Sequence, residues 1–367
     1  MNNKKILFHL CHPAHFHLLK NVIKSLKNTN EIFVIIKQKD VLVNLLKSSG
    51  LPFINILPES RSNNFFGLLY NFLLHTFRFL KFCKSSNPDL LVGSSSQIAI
   101  IGKLLSIPSI NLNEDDVSAI SLFSKITFPL TSTIVSPISC DMGPWSNKSI
   151  KYNSYHELAY LHKNNFTPNK QTAEKYISLK KPYAILRLSS LKAYHDVGIS
   201  GISNNLAYAL INMLKNHGKI IISSERPLNS KLDKYMVNID PIDFHDVLYH
   251  SYLFIGDSQT VAAEAGVLGI PFVRFNDFVG RLGYLDEIEK NYKLGYGILP
   301  SEPEKLVNKV EELLSMRDRE KIFAERKNHM LANKLDLASF LTWFISNYPE
   351  SLVTLRKDNS YTKRFIS

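Results

Sequence analysis

Two segments of this chain, VGSSSQIAIIGKLLSIPSINLNE (Val92 to Glu114) and IGDSQTVAAEAGVLGIPFVRFND (Ile255 to Asp277), align without a gap at one constant offset in numbering. Identical residues fall at Gly93 and Gly256, Ser95 and Ser258, Ala99 and Ala262, Leu105 and Leu268, Ile107 and Ile270, Pro108 and Pro271, and Asn113 and Asn276. Each segment reads as an apolar strand, a Gly-Ser turn, a helix, and an Ile-Pro turn into another strand. A chain that carries this unit twice is expected to build two Rossmann-like α/β domains, each around a parallel sheet, facing each other across a cleft. Convergence at the small-residue turns that any βαβ unit needs would still leave both halves in the α/β class.

The length agrees, since 367 residues exceed one ordinary domain of about 100 to 200 residues. Periodicity places strands at Ile6 to Leu10, Ile32 to Ile36, Phe53 to Ile56, Leu90 to Val92 and Ser109 to Leu112, alternating with helices. The pattern lapses in the lysine-rich stretch His162 to Lys181, with Pro168 and Pro182, and resumes at Tyr183 to Leu188. The expected division is a first domain over 1–165, a linker over 166–181, a second domain over 182–345 and a tail over 346–367.

Composition excludes disorder and collagen, because 45% of residues are hydrophobic and 21% charged. The three cysteines, Cys11, Cys83 and Cys140, are too few and too scattered for a disulfide framework or a paired-cysteine zinc site, which fits a reducing, cytoplasmic compartment. The N-terminus reaches His9, His12 and Pro13 too early for a secretory leader. Phe65 to Phe82 approaches the roughly 18 to 20 apolar residues of a membrane span but is broken by Asn71, His75, Arg78 and Lys81. It reads either as a helix buried over a sheet or as a face that meets anionic lipid at the inner side of a membrane. The net charge of +12 attracts anions without naming one; no RNA-binding signature or helix-turn-helix accompanies it, so a nucleic-acid partner is not expected.

The two copies differ where chemistry can sit. Glu264 stands where the first copy has Ile101, and Asp257 where it has Ser94. A carboxylate one turn into a helix suits a ribose diol, while Ser258 and Thr260 at the helix start suit a diphosphate; a plain first-turn glutamate favoured by the helix dipole is the alternative. After strand Tyr183 to Leu188, Arg187, Lys192, Ser189 and Ser190 supply charge and small donors for a leaving diphosphate, and His195 with Asp196 is a weaker pair. His9, His12, His15 and His17 cluster in the first loop, where Pro13 prevents the helical spacing of a zinc site; His15 or His17 is placed to take a proton from an acceptor hydroxyl. No Asp-x-Asp pair, P-loop or GxSxG elbow occurs, so no metal or organic cofactor is expected.

Taken together, CHPAHFHLLKNVIKSL, SYHELAYLHKNNFTP, YAILRLSSLKAYHD, IISSERPL and FHDVLYHSYLFIGDSQTVAAEAGVLGIPFVRFNDFVG resemble a group of bacterial and archaeal proteins of unassigned function. That group belongs with the GT-B glycosyltransferases, such as the peptidoglycan N-acetylglucosaminyl transferase, and the non-hydrolysing UDP-N-acetylglucosamine 2-epimerases. The resemblance spans roughly residues 4 to 315 and implies a GT-B fold with a nucleotide sugar bound mainly by the second domain. It implies Glu264 at the ribose, Ser258, Gln259 and Thr260 at the phosphates, and His15 as the base; Asp257 and Glu225 are further substrate-binding candidates. Epimerases carry acid/base carboxylates in the first domain; the matching stretch here is INLNEDD, with Asn113 where an ungapped alignment puts the glutamate and Glu114, Asp115 and Asp116 immediately after.

The expectation is a metal-independent transferase that moves a sugar from a nucleotide-diphosphate donor to a hydroxyl of a cell-surface glycan or lipid-linked acceptor. Catalysis would use His15, His17 and Glu114, with Asp116 as a second candidate to orient the acceptor. The alternative is an isomerase of UDP-N-acetylhexosamine.

Overall fold

The computed structural model describes residues 3–38, 41–58, 65–189 and 201–366. Two compact units emerge: residues 1–160 with 335–367, and residues 161–334. The first holds seven parallel strands, β1 (Lys5–Leu10), β2 (Glu31–Lys37), β3 (Ile54–Leu57), β4 (Leu90–Gly93), β5 (Ser109–Leu112), β6 (Thr133–Pro137) and β7 (Ser149–Tyr152), in the order β3-β2-β1-β4-β5-β6-β7. The second holds five, β8 (Tyr183–Leu188), β9 (Lys219–Ser224), β10 (Leu253–Gly256), β11 (Phe272–Phe275) and β12 (Gly295–Ile298), in the order β12-β11-β10-β8-β9.

Both sheets reverse their winding beside their first strand. In the first unit the switch lies between β1 and β4, in the second between β8 and β10. The register there is equivalent: His9 pairs with Gly93 and Arg187 with Gly256. Each glycine is required by contact. A Cβ on Gly93 would lie 2.6 Å from the His9 carbonyl oxygen, and one on Gly256 would lie 2.9 Å from Arg187 Cβ and 3.0 Å from its carbonyl oxygen. The equivalent helices, Ser96–Leu105 and Gln259–Leu268, both end on a left-handed residue, Ser106 (φ 57°) in one and Gly269 (φ 80°) in the other. The aligned segments are therefore the same structural unit, built twice.

The domain boundaries differ from the sequence expectation at the C-terminus. Residues 335–345, assigned to the second domain, and the supposed tail over 346–367 both pack with the first unit. Helix Leu337–Ser346 buries Leu337, Phe340, Leu341, Phe344 and Ile345, an i, i+3, i+4, i+7, i+8 stripe that needs a cover and finds it on helix Pro13–Leu26. Polar contacts lock this return: Tyr348 Oη lies 3.0 Å from Thr133 Oγ1, and the Lys4 ammonium donates to the Ser346 carbonyl at 2.9 Å. The expected linker is also structured. Asn169 caps helix Lys170–Glu174, and the Tyr176 hydroxyl donates to Asp243 at 2.9 Å, so the segment belongs to the second unit. Strands β6, β7 and β12, short and rich in Ser, Thr, Lys or Gly, carry too little hydrophobic pattern to be read from sequence.

Gly93→Ala should force a shift at the β1–β4 switch costing about 1–3 kcal/mol and lower the melting temperature of the first unit by several degrees, whereas Ser106→Gly relieves left-handed strain and should raise it slightly. Thermal unfolding of the two variants against the parent chain checks both signs.

Candidate functional site

In open α/β sheets, ligands bind outside the carboxyl ends of the strands at the point where the winding reverses. In the second unit that point is built by β8, β9, β10 and the turn into helix Gln259–Leu268. Ser258 caps this helix, accepting a hydrogen bond from the Val261 N–H at 3.4 Å, and Ser258, Gln259 and Thr260 are all half-buried. A helix start with accessible N–H groups and hydroxyls is suited to an anion.

Arg187, at the carboxyl end of β8, donates to Ser223 Oγ and to Glu225 Oε1. The sequence offers Arg187 and Glu225 as independent donor contacts; the structure pairs them, because a guanidinium beside a strand end gains most from a fixed carboxylate. Ser189 lies on the same edge and is half-buried. Ser190, Lys192, His195 and Asp196 fall outside the described residues.

Asp257, expected among the substrate-binding residues, is instead buried against the backbone. It is 2% exposed, and its carboxylate accepts the Ser189 N–H at 2.6 Å and the Ile202 N–H at 3.3 Å. Arg226 in turn donates to the Ile202 carbonyl. Asp257 thus holds the two described ends of the segment after β8; burial raises its pKa, while the Ser189 hydrogen bonds, the Arg226 charge and the Ile202 N–H oppose that rise. Asn276, shared by the two repeat copies, donates to the Asp257 carbonyl at 2.9 Å and accepts from Arg274 at 3.2 Å. Arg274 is fully buried and pairs with Glu289 at 2.9 Å, so a continuous polar chain underlies this edge of the sheet.

Glu264 has a partner that the sequence did not show. It is 4% exposed, and its Oε1 lies 2.9 Å from Nε2 of His245, on helix Phe244–Tyr249. Sequence reasoning missed His245. The histidine is visible in FHDVLY, but no spacing rule ties it to a glutamate on the helix beyond the next strand.

In the first unit, His15 occupies the first turn of helix Pro13–Leu26, half-buried, and His12 caps the helix with Nδ1 accepting the Ala14 N–H at 3.2 Å. His15 Nδ1 accepts the Cys11 N–H at 3.3 Å. A neutral ring whose Nδ1 accepts keeps its proton on Nε2, so both rings are set as Nε2 donors in this arrangement. His17 is buried, with its ring 5.1 Å from that of Tyr160, and is not placed as an exposed base. His9 is buried at the switch point, its Nδ1 2.6 Å from Ser95 Oγ and its Nε2 3.1 Å from His75 Nε2. Burial, followed by the His75 charge, drives the His9 pKa well down; burial lowers His75 to about 4.

Glu114 follows β5 and pairs with His156 Nδ1 at 3.1 Å, while its carbonyl accepts the Cys140 thiol at 2.7 Å. Burial lowers His156 to about 4, with Glu157 and Asp115 acting in the opposite direction. Asp116 is buried and accepts the Asp141 N–H at 2.5 Å, which commits it to the loop. His156, another residue that sequence reasoning passes over, sits in the motif SYHELAYLHKNNFTP. Among the described residues, no group of three His, Cys, Asp or Glu side chains is arranged to hold a metal ion.

His156 and His75 titrate near 4 in the fold against 6.5 ordinarily. The unfolded chain therefore binds more protons between those values, and stability present above about pH 6.5 is lost as the pH falls. Each ring should cost about 2 kcal/mol between about pH 7 and about pH 5, and His156→Gln should remove its share of that slope in urea unfolding.

A family model described as "Protein of unknown function (DUF354)" matches residues 4–290. No curated protein matches the chain. Among solved structures, the complex of S. aureus MnaA with UDP aligns at 12% identity and TM-score 0.68, covering 96% of this chain and 97% of its own. UDP-GlcNAc 2-epimerase from Neisseria meningitidis, bound to UDP-GlcNAc, aligns at 14% identity and TM-score 0.63, with coverages of 95% and 100%. The spinosyn forosaminyltransferase SpnP aligns at 13% identity and TM-score 0.65, with coverages of 96% and 100%. At these identities the likeness establishes the α/β GT-B fold.

Proposed function

The chain belongs to the DUF354 family, and from that premise we propose that it is a nucleotide-sugar enzyme, a glycosyltransferase that moves the sugar of a nucleotide-diphosphate donor to an acceptor hydroxyl. The observation that carries this reading is the switch point of the second sheet, where half-buried Ser258, Gln259 and Thr260 open a ten-residue helix beside the Arg187–Glu225 pair. The diphosphate sits on the helix start, where N–H groups and the helix dipole favour negative charge without a metal. Arg187 and Ser189 stabilise the charge that develops as the anomeric C–O bond to the diphosphate breaks. Asp257 acts through backbone, by holding Ser189 in place. Glu264 accepts the ribose hydroxyls, with His245 fixing the direction of the carboxylate.

His15 is the acceptor-side group. As arranged it donates from Nε2 to a substrate oxygen; it becomes the base when the ring turns and Nδ1 carries the hydrogen, leaving Nε2 to take the hydroxyl proton. The acceptor oxygen then attacks the anomeric carbon and the nucleoside diphosphate departs. Two solved structures similar in fold hold UDP or UDP-GlcNAc, which supports a uridine nucleotide as the first donor to test.

One observation favours a second reading, isomerisation of a UDP-N-acetylhexosamine. Glu114 stands at the carboxyl end of β5, paired with a histidine that burial keeps neutral, as a carbon-acid base in the first domain would require. Incubating the protein with UDP-N-acetylglucosamine and no acceptor separates the readings, since only an isomerase forms a new sugar nucleotide.

His15→Ala should abolish transfer while leaving UDP affinity within about twofold, because the residue contributes to the reaction rather than to donor binding. Unchanged turnover would remove His15 from the mechanism. UDP should bind at least about tenfold more tightly than 2′-deoxy-UDP to the parent chain, and Glu264→Gln should erase most of that preference, as calorimetric titration can show.

A further inference from the structure

The helix Phe65–Ser86 covers one face of the first sheet with only one of its sides. Phe79 and Cys83 bury against Leu7, Leu91 and Ile98, and His75 reaches His9. The opposite side is apolar and open: Leu69 is 45% exposed, Tyr70 64%, Leu73 58% and Phe77 64%. Those positions form one stripe, and Lys81 and Lys84, both exposed, continue the same stripe into the last turns. The 22-residue helix contains no acidic residue. A buried helix would hide such side chains, and a helix evolved for water alone would not line up large apolar groups over three turns.

We propose that this stripe docks on an anionic lipid bilayer, with the helix lying along the interface. No helix of the described residues is long and apolar enough to cross a membrane, so the contact is with the surface. Leu69, Leu73 and Phe77 enter the acyl boundary, Tyr70 sits at headgroup depth, and Lys81 and Lys84 meet lipid phosphates. A shallow groove on the flank supports the anionic partner: about 460 Å³ in volume, it is lined by Ile56, Pro58, Arg78, Lys81 and Phe82. The apolar stripe supplies burial and the cations supply the lipid preference; an acidic protein partner would satisfy the lysines but not the depth of apolar surface. Because His75 of this helix contacts His9 at the carboxyl end of β1, docking places that end of the first sheet beside the membrane. The inference does not depend on the nucleotide-sugar reading.

Sedimentation of the full chain with phosphatidylcholine vesicles, with and without about one third phosphatidylglycerol, tests it. The parent chain should bind the mixed vesicles and not the neutral ones. Leu73→Glu with Phe77→Glu, and separately Lys81→Glu with Lys84→Glu, should weaken binding at least about tenfold. Melting temperature and UDP affinity should stay at parental values, since these side chains face outward. The proposal fails if the parent chain stays in the supernatant or the variants bind as it does. It also fails if sizing shows that the stripe joins two copies, with the Leu73→Glu and Phe77→Glu pair merely converting a dimer to a monomer.

Discussion

Two close contacts between parallel neighbouring strands set the architecture of both units. Where each sheet reverses its winding, a central strand ends in glycine because its neighbour's backbone stands where a Cβ would be: Gly93 against His9, Gly256 against Arg187. The close approach brings the serine of the following turn, Ser95 or Ser258, near the residue at the end of the first strand. That residue differs between the units, and the difference divides the chemistry. In the second unit it is an arginine with a carboxylate partner beside an open helix start, a setting for an anion. In the first it is His9, buried and held by Ser95 and His75, with its charge suppressed by burial.

The repeat itself was legible because the turn chemistry is strict. Gly93, Ser95, Ile107, Pro108 and Asn113 each recur at the same offset in the second half, and the structure gives most of them the same work. The Ile107 and Ile270 N–H groups donate to the equivalent Gly102 and Ala265 carbonyls, and the Pro108 and Pro271 carbonyls accept from Leu91 and Phe254; Asn113 and Asn276 differ, donating to the Asp115 and Asp257 carbonyls. What escaped the sequence depends on distance along the chain. The stripe Leu337 to Ile345 announces a buried helix, but nothing local says that it covers helix Pro13–Leu26, near the opposite end of the chain. Likewise, no pattern couples His245 to Glu264 or His156 to Glu114; those partners meet only through the fold.

Several residues chosen for their chemistry turned out to serve the scaffold, and for a common reason. Asp257 and Asp116 are short carboxylates next to turns, where backbone N–H groups need acceptors, and the fold uses them there. Arg187 and Glu225 likewise pair with each other. Ser258, Gln259 and Thr260, by contrast, stay half-buried at the helix start.

In the proposed reading, the helix start at Ser258 and the strand end at Arg187 receive a nucleoside diphosphate. Hydrogen exchange of the full chain with and without UDP addresses it directly. The account predicts slowed exchange at residues 256–262 and 186–189, with the equivalent turn of the first unit, 93–99, unchanged. Slowed exchange confined to 93–99, or none at either turn under saturating UDP, would contradict it.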